Sequence, residues 1–470
     1  MEPMRHFDLC VIGTGSGNSI VDERFADRRV AIVDAGVGPH RVFGGTCLNL
    51  GCIPTKMYVH PADLAAQVDH ARELGVDLRL DGVRWRGIRD RIFGRLDPIA
   101  EAGREWRAAG LPNVELLSGR AHFTGPRALR VVAADGTTAD LTADQIVIAA
   151  GSRVRLPDVP GADRVVLHTS ETVMRIDELP REMVILGGGF VGMEFAHVFA
   201  SFGVDVTILN RSGVLLHRED EDVARRATQF VSERCRVKLH QQLDSFEPLP
   251  DGRIRVSATG PSGPHRYDTE LVLVAIGRIP NGDTLGVEAA GLTLTEDCRV
   301  PVDAYQRTPV DGIWALGDVS SQYLLKHVAN AEARTVQHNL LHPDDPVATD
   351  HRFVPHAVFG SPQIASVGLT EQEARRRGVR YITATQDYRD VAYGWALEDE
   401  GHFCKLLAHP DTGRLLGAHI IGPEASVLIQ PLLQAMSFDL DARTLARSQY
   451  WIHPALAEVV ENALLALPWE

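Results

Sequence analysis

The chain has 470 residues, of which 44% are hydrophobic and 23% charged, and this predicts a globular protein of two to four domains. Its formal net charge of -14, without any run of basic residues, makes nucleic acid and anionic membrane surfaces poor partners. The N-terminus lacks a secretory-signal pattern and no apolar run reaches transmembrane length, so we expect a cytoplasmic protein.

The chain opens with the pattern of a dinucleotide-binding fold. An apolar strand over residues 7–12 leads into a glycine turn, a helix-compatible stretch and a second strand that ends at Asp34. A pyrophosphate needs a turn without Cβ atoms and a helix N-terminus, and an acid about 20 residues on can bind ribose hydroxyls. The residues predicted to form this site are Gly13, Gly15, Ser16, Gly17 and Asp34. Asn18 replaces the usual third glycine, so we expect the helix to sit slightly off; the alternative is a βαβ turn without a ligand.

The segment GGTCLNLGCIPTK, residues 44–56, carries the clearest chemical signal. On one ideal helix, residues five apart rise about 7.5 Å and point about 140° apart, too far for a disulfide. Cys47 and Cys52 must therefore span a turn, and Gly51 and Pro54 predict that a helix begins at about Cys52. The positive end of that helix favours the Cys52 thiolate. The sequence predicts a redox-active pair and no metal, because a metal site would need a second ligand pair that the sequence lacks.

The second glycine turn, at the end of a strand over residues 183–186, has complete GxGxxG spacing. It consists of Gly187, Gly189 and Gly192. The following strand ends at Asn210 and Arg211, where an NAD-specific fold would carry an acid. Arg211 with His217 or Arg218 can neutralise a 2′-phosphate, which favours NADPH over NADH. The alternative is that these are solvated surface cations.

The rest of the chain completes a mixed architecture. Residues 51–110 indicate two helices, 271–280 and 312–319 further apolar strands, and 342–350 a linker before an α+β segment. The predicted fold class is α/β, with two doubly wound, Rossmann-like dinucleotide-binding domains and a C-terminal α+β domain. Outside the close pair, the cysteines are interpreted as buried thiols: Cys10, Cys235, Cys298 and Cys404.

A histidine and an acid stand five residues apart near the C-terminus, in WIHPALAEVVENAL. A carboxylate such as Glu458 can orient His453, which then accepts a proton from a thiol and returns it to a leaving thiolate. For a single histidine, the ordinary alternative is a surface residue without a catalytic role.

The order of these motifs resembles the pyridine nucleotide-disulfide oxidoreductases of the glutathione reductase and dihydrolipoamide dehydrogenase type. Two glycine turns, CxxxxC followed by a lysine, a Gly-Asp at 317–318 and a terminal His-Pro with a downstream Glu cover essentially the whole chain. The resemblance implies FAD and NADPH as cofactors. The domains it implies are FAD-binding over 1–150, NADPH-binding over 151–278, a return to the FAD or central domain over 279–347 and dimerisation over 348–470.

The resemblance also implies roles for single residues. Cys52 faces the flavin as a thiolate, Cys47 exchanges with substrate, and Lys56 pairs with Glu194 near the reactive end of the flavin. His453 and Glu458 serve the other subunit of a homodimer, although the family's HPTxSE reads HPALAE here. Asp34 is placed at the adenosine ribose and Asp318 near the ribityl chain. Further implied contacts are Gly45, Thr46 and Gly151 for FAD and Gly277 for NADPH.

Within the family, GTGSGNSI, YLLKHVAN and QYWIHPALAEVVENALL are most similar to members that reduce the disulfide of mycothiol. Glutathione-specific members carry arginines where this chain has Asp22 and Glu23, and acids there favour an uncharged, hydroxyl-rich substrate. The alternatives are a dihydrolipoamide dehydrogenase or another glutathione reductase-like enzyme. A redox-sensing flavoprotein without turnover is an alternative of another class.

Overall fold

The computed structural model describes residues 4–469, except the side chain of Asp69. Within that range no helix is long and apolar enough to cross a bilayer. The fold consists of two largely parallel sheets, each at the centre of a predicted nucleotide-binding unit, and an antiparallel sheet near the C-terminus. This arrangement confirms the predicted fold class.

The first unit is built on a sheet of order β3-β2-β1-β6-β5-β4, in which β3, β2, β1 and β6 run parallel. Its strands are β1 (Arg5–Ile12), β2 (Val30–Asp34), β3 (Val114–Ser118), β4 (Arg120–Gly125), β5 (Ala128–Val132) and β6 (Thr138–Ile148). Its helices are α1 (Gly45–Asn49), α2 (Cys52–Glu73) and α3 (Trp85–Ala109). β1 and β2 are buried almost throughout, as expected for central parallel strands covered on both faces.

The expected helix after the first glycine turn is absent. Residues 13–29, all described, contain two 3-10 turns, Gly17–Ser19 and Glu23–Phe25, and no α-helix. Side chains bind the carbonyls that a helix would have paired: Arg107 binds Val21, Gln337 binds Ile20 and Asn113 binds Phe25, at 3.0, 2.7 and 2.9 Å. The prediction of an α-helix directly after the first glycine turn is therefore wrong.

Asn18 is central to this departure. Arg107, a buried residue near the end of α3, donates from Nε to Asn18 Oδ1 at 2.8 Å. A glycine at position 18 would offer no side-chain acceptor for that guanidinium. The replaced glycine thus accompanies a larger change than the slight displacement of a helix that the sequence predicts.

The second unit repeats the parallel arrangement in the order β11-β10-β9-β15-β8, beside an antiparallel ribbon β12-β13-β14. Its strands are β7 (Ser152–Val154), β8 (Leu167–His168), β9 (Glu182–Leu186), β10 (Asp205–Leu209), β11 (Arg236–Lys238), β12 (Gln242–Pro248), β13 (Ile254–Gly260), β14 (Gly263–Thr269), β15 (Leu271–Val274) and β16 (Arg278–Pro280). Its helices are α4 (Phe190–Ser201) and α5 (Glu221–Arg234). β7 pairs antiparallel with β16, so the chain enters and leaves this unit side by side.

The chain then returns to the first sheet. β17 (Ile313–Ala315) pairs parallel with β6, and α6 (Lys326–Leu341) follows it. α6 packs against the residues of the first glycine turn, where Ser16 donates to Asn330 at 3.0 Å. One end of α6 therefore lies at the predicted first nucleotide site.

The last unit is an antiparallel sheet of order β18-β19-β22-β21-β20 with short helices. Its strands are β18 (His356–Phe359), β19 (Gln363–Gly368), β20 (Ile382–Asp387), β21 (Phe403–Ala408) and β22 (Leu415–Ile421). Its helices are α7 (Glu371–Arg376), α8 (Ala392–Ala396), α9 (Ala425–Leu428), α10 (Gln430–Ser437), α11 (Ala442–Arg447) and α12 (Ala457–Leu465).

Three of the four remaining cysteines are buried as expected: Cys10, Cys235 and Cys404. Burial raises the pKa of Cys235 to about 11, which keeps it a thiol at neutral pH. Cys298 is only half-buried, and its positive φ of 67° places it in a turn. The interpretation of Cys298 as a buried thiol is wrong.

Candidate active site

Cys47 and Cys52 lie on two successive helices with a turn between them, as the geometry of a disulfide requires. Cys47 belongs to α1 and Cys52 is the first residue of α2. Gly51 makes the approach possible, because a Cβ there would lie 3.3 Å from the carbonyl oxygen of Thr46 and 3.7 Å from Cys47 Cα. Both cysteines are free thiols in this structure and sit within hydrogen-bond reach of each other.

The surroundings shift the pKa values of the two thiols in opposite directions. The hydrogen bond from Cys47 is the main influence that lowers the pKa of Cys52, and the helix backbone and the Lys56 ammonium add to it. Burial and the Glu194 carboxylate act in the opposite direction. The same hydrogen bond, followed by burial, raises the pKa of Cys47. Cys52 is therefore the thiol that loses its proton more readily, and Cys47 is the thiol that keeps it.

Lys56 and Glu194 form an ion pair between α2 and α4. Lys56 Nζ lies 2.6 Å from Glu194 Oε1, and the same oxygen accepts the backbone N–H of Phe359 at 3.0 Å. The Phe359 ring lies beneath the ammonium, 4.2 Å from its centroid to Nζ. Glu194 is almost fully buried while Lys56 keeps about a third of its surface exposed. The pair fixes an ammonium one helical turn from Cys52.

The first glycine turn and the segment that carries Cys47 are in direct backbone contact. A Cβ on Gly45 would lie 2.5 Å from Gly15 Cα, and Gly44 N–H donates to Thr14 Oγ1 at 3.0 Å. A Cβ on Gly13 would lie 2.3 Å from the carbonyl oxygen of Ala149. The turn therefore has to be built from bare backbone, which is the surface that a pyrophosphate requires.

The other residues predicted for the first nucleotide site surround this turn. Gly17 is buried, Ser16 accepts from Lys326 at 2.9 Å, and Thr46 lies in α1 beside Cys47. Burial raises the pKa of Asp34, while hydrogen bonds from Thr14 oppose that effect. A half-buried acid whose charge is only partly satisfied suits a bond to ribose hydroxyls.

Asp318 lies in a 3-10 turn, Gly317–Val319, directly after β17. It accepts from Ser152 Oγ at 2.6 Å, and Arg278 Nε donates to the same hydroxyl at 2.7 Å. The preceding Gly317 N–H donates to Glu332 Oε2 at 2.7 Å, which ties the Asp318 loop to α6. Gly151 adjoins this cluster, and its carbonyl accepts from Asn281 N–H at 3.0 Å.

The second glycine turn has the geometry that the sequence predicts. A Cβ on Gly192 would lie 2.1 Å from the carbonyl oxygen of Gly187, so α4 packs directly on the turn. A Cβ on Gly189 or Gly277 would meet no atom within 4 Å, so both face open space. Gly189 caps α4, whose first N–H groups point at that space and can bind an anion.

Two arginines and a histidine lie on the loop after β10. Arg211, His217 and Arg218 are all exposed, and none forms an ion pair within residues 4–469. Asn210 is buried instead and organises the loop, since its Oδ1 accepts from Gly188 N–H at 3.1 Å and its Nδ2 donates to the Val214 carbonyl at 2.9 Å. The loop thus presents unneutralised positive charge beside the second turn.

His453 and Glu458 are in contact at the surface of the last unit. His453 Nδ1 lies 2.8 Å from Glu458 Oε1, and this bond is the main influence that lowers the pKa of Glu458. The Ala455 N–H also donates to Glu458, at 3.2 Å. The His453 side chain remains 69% exposed, next to an exposed Ile452. Its Nε2 edge is therefore available to a group outside this chain.

The acids Asp22 and Glu23 differ in how much free negative charge they offer to a substrate. Asp22 accepts from Arg24 Nη2 at 2.6 Å and from Gln337 Nε2 at 3.1 Å, so its charge is already neutralised. Of these two acids, only Glu23 remains fully exposed. The electrostatic preference against a carboxylated substrate therefore rests on one residue instead of two.

Several contacts at the site involve residues that the sequence motifs do not predict. Thr14 supports Gly44, Phe359 binds Glu194, and Lys326 binds Ser16 across more than 300 residues of chain. Lysine occurs only at positions 56, 238, 326 and 405, and this rarity is the one signal that could have drawn attention to Lys326. Among residues 4–469, no cluster of His, Cys, Asp and Glu side chains is arranged to hold a metal ion.

Comparisons with known proteins cover almost the whole chain. Residues 7–334 match the family model described as pyridine nucleotide-disulphide oxidoreductase, and residues 354–464 match its dimerisation domain. The chain is 50% identical to mycothione reductase of Mycobacterium tuberculosis, over 99% of this chain and 100% of that protein. It is 34% identical to dihydrolipoyl dehydrogenase of Halobacterium salinarum, over 97% and 95%. The HOCl-induced flavoprotein disulfide reductase RclA from Escherichia coli superposes with a TM-score of 0.84 at 26% identity, over 98% and 99% of the two chains.

Proposed function

Because the chain belongs to the pyridine nucleotide-disulphide oxidoreductase family, we propose that it reduces mycothione, the disulfide of mycothiol, with electrons from NADPH. Membership makes it an oxidoreductase that contains FAD and uses a nicotinamide nucleotide. The narrower substrate is supported by the 50% identity to mycothione reductase, against 34% to a dihydrolipoyl dehydrogenase.

The residues at the first turn fit FAD. Bare backbone at Gly13, Gly15 and Gly45 leaves room for the pyrophosphate, and the carboxylate of Asp34 at the end of β2 can accept from the ribose. Asp318, which accepts a hydrogen bond from Ser152, would bind the ribityl hydroxyls. When bound, FAD would carry two electrons from the nicotinamide nucleotide to the disulfide of Cys47 and Cys52.

Arg211, His217 and Arg218 support NADPH in preference to NADH. They are exposed cations beside the second turn, and no acid stands at the end of β10 to accept from a 2′-hydroxyl. A 2′-phosphate would supply the missing negative charge to this loop. The N–H groups at the start of α4 would bind the pyrophosphate of the same nucleotide.

The feature that carries the reaction is the placement of Cys47 on α1 and of Cys52 at the start of α2, where Cys47, the helix backbone and Lys56 lower the pKa of Cys52. In the reduced pair, Cys47 loses its proton and its sulfur attacks mycothione, forming a Cys47–mycothiol mixed disulfide and releasing one mycothiol thiolate. The Cys52 thiolate then attacks Cys47 Sγ, re-forms the Cys47–Cys52 disulfide and releases the second mycothiol. The dithiol is oxidised and the substrate disulfide is reduced by two electrons.

His453 would handle the protons of this exchange from a second subunit. It would accept the Cys47 proton and return it to the departing thiolate, while Glu458 holds its ring through Nδ1. The exposure of His453 and the match of its domain to a dimerisation domain support a homodimer in which each site uses His453 of the partner subunit.

A direct comparison of substrates tests this proposal. NADPH oxidation should be followed at 340 nm with mycothione, glutathione disulfide and lipoamide at equal concentrations, and mycothione should give the highest kcat/KM. Faster turnover of lipoamide would identify a dihydrolipoamide dehydrogenase, and no turnover of any disulfide would favour a redox-sensing flavoprotein.

A further inference from the structure

His217 and Arg218 are two exposed basic residues at the end of the loop after β10. Residues 215–216 before them are buried and apolar, and Glu219 and Asp220 after them are buried acids. Burial of a carboxylate costs free energy unless the charge is paired and hydrogen-bonded. The proposed reaction gives neither acid a task, so their partners indicate what the burial achieves.

The Glu219 carboxylate is bound by two strands of the C-terminal antiparallel sheet. His356 on β18 donates from Nε2 to Oε1 at 2.6 Å, and Ser366 on β19 donates from Oγ to Oε2 at 2.7 Å. His356 and Ser366 are directly opposite each other in the register of the two strands, so each oxygen of one carboxylate has its own donor. Burial raises the pKa of Glu219, yet the bonds from His356 and Ser366 outweigh burial and hold that pKa below its usual value.

Asp220 continues the attachment to the C-terminal unit. Its side chain accepts from Lys405 Nζ on β21 at 2.9 Å, and it also caps α5 by accepting from the Asp222 N–H at 3.1 Å. The side chains of Lys405 and Asp220 are both almost completely buried. Gln372 in α7 adds a bond from Nε2 to the Glu219 carbonyl at 2.8 Å. Side-chain and backbone groups thus attach the two acids to the C-terminal unit.

The residue before the two basic side chains is attached to the second glycine turn instead. Leu216 N–H donates to the Gly188 carbonyl at 2.8 Å. The two basic residues therefore lie between one fixed point on the turn and another on the C-terminal sheet. Phe359, the last residue of β18, donates from its N–H to Glu194 of α4 at 3.0 Å, so this sheet is also bonded to the helix that follows the turn.

We propose that Glu219 is a positioning residue for the choice of nucleotide, because its attachment to the C-terminal sheet fixes the backbone from which His217 and Arg218 extend. An anchored backbone lowers the conformational entropy that these side chains lose when they bind a phosphate. The C-terminal unit thereby takes part in binding the 2′-phosphate of NADPH. The inference rests on the proposed function, since it concerns the residues assigned to that phosphate.

A purely electrostatic role for Glu219 predicts the opposite effect. A negative charge next to Arg218 repels a phosphate, so its removal alone would strengthen the binding of NADPH. Removal of an anchor weakens the binding of NADPH, although it also removes a repulsive charge. NADH lacks the 2′-phosphate, so its binding changes little in either case. A general loss of structure would instead weaken both nucleotides alike.

The test measures reduction of the flavin by NADPH and by NADH in the full-length, FAD-loaded protein. Stopped-flow absorbance gives an apparent Kd for each nucleotide, and the assay needs no disulfide substrate. Glu219→Ala should raise the apparent Kd for NADPH about three- to tenfold, as expected for a residue that acts on a site through its neighbours, and change that for NADH less than about twofold. Glu219→Gln, whose amide can still bind Ser366, should restore most of the affinity for NADPH.

Two further variants sharpen the comparison. Ser366→Ala removes one of the two side-chain bonds and should raise the apparent Kd for NADPH in the same direction by a smaller factor. Glu221→Ala removes an exposed acid two residues after Glu219 and leaves the attachment in place, so it should not raise that Kd.

An unchanged or lowered apparent Kd for NADPH in Glu219→Ala would overturn the proposal, as would an equal rise for both nucleotides. Should Glu219→Ala fail to fold or to retain FAD, Ser366→Ala decides, because an unchanged ratio of the two Kd values there also overturns it. A native protein that is reduced equally well by both nucleotides would refute the assignment of NADPH and this inference with it. A native preference for NADPH that survives Glu219→Ala would refute this inference alone.

Discussion

Lys56 and Glu194 join two nucleotide-binding units across a distance of 2.6 Å between Nζ and Oε1. They influence the Cys52 thiol in opposite directions, because the ammonium lowers its pKa and the carboxylate raises it. Both effects are secondary to the hydrogen bond from Cys47. The pair is thus both a link between α2 and α4 and a control on the charge of Cys52.

We predict that Lys56→Met and Glu194→Gln move the Cys52 titration in opposite directions. A thiol with a lowered pKa is a thiolate above that pKa and is protonated as the pH falls through it. Lys56→Met should therefore lose the thiolate at a higher pH than the native protein, and Glu194→Gln at a lower pH. The measurement is the long-wavelength absorbance of the two-electron-reduced flavoprotein against pH, with Cys52→Ser as the control that abolishes it. Shifts of the same sign in both variants would contradict the assignment.

Arg107 should matter for stability far more than its neighbours on α3. It is buried and donates to the Asn18 side chain and to the Val21 carbonyl. That carbonyl has no partner within a helix, because the segment forms 3-10 turns. Arg107→Met should lower the free energy of unfolding by about 1–3 kcal/mol, the cost of leaving buried acceptors unpaired. Arg104→Met removes only an exposed pair with Glu101 and should cost under about 1 kcal/mol. Urea unfolding of both variants, followed by circular dichroism, would contradict this view if the two losses were equal.

The Arg107 contacts also show which part of the first unit cannot be predicted from local sequence motifs. The strand, turn, second strand and acid around Gly13 predict a nucleotide site, because each follows from local spacing. The replacement of the first helix by 3-10 turns depends on Arg107 and Gln337, which lie about 90 and 320 residues away and carry no local pattern. Short-range motifs therefore predict the glycine turn, but they do not predict the distant side chains that bind the carbonyls after it.

The same distinction holds at the cysteines. The break between α1 and α2 and the helix start at Cys52 follow from the spacing of the pair and from Gly51 and Pro54. The approach of Lys326 to the first turn depends on how the chain returns after β17, which no motif encodes. Asp22 is a third case, since its neutralisation by Arg24 and Gln337 cannot be separated from a free acid in the sequence.

Replacement of Arg211 tests the choice of nucleotide. Loss of a charge-assisted bond to a phosphate costs about 1.5–3 kcal/mol, so Arg211→Ala should raise the KM for NADPH about tenfold or more. The KM for NADH should change little, because NADH has no 2′-phosphate. Arg266→Ala, an exposed arginine on β14 of the same unit, is the matched control and should alter neither value. Equal changes for NADPH and NADH in Arg211→Ala would undo the phosphate assignment.

The proposed use of His453 from the partner subunit predicts that two inactive variants restore each other. His453→Gln alone should lower turnover by about 10²–10⁴-fold, the usual contribution of an acid/base group, and Cys47→Ser should abolish it. In a hybrid dimer, the intact Cys47 of one subunit meets the intact His453 of the partner subunit. Random subunit exchange between the two variants should therefore recover about a quarter of native activity, because about half of the dimers are hybrids with one complete site. Activity that stays at the level of the parent variants would mean that His453 acts within its own chain.

In the proposed reaction, Cys47 is the sulfur that attacks mycothione, and Cys52 resolves the mixed disulfide. Cys52→Ser keeps the attacking thiol and removes the resolving one, so the reaction should stop at the mixed disulfide. Mass spectrometry of this variant after incubation with mycothione should find one mycothiol attached to Cys47, and Cys47→Ser should give a much slower adduct on Cys52. A mycothiol adduct that forms preferentially on another cysteine would show that Cys47 is not the attacking sulfur. An adduct with lipoamide but none with mycothione would show that mycothione is not the substrate.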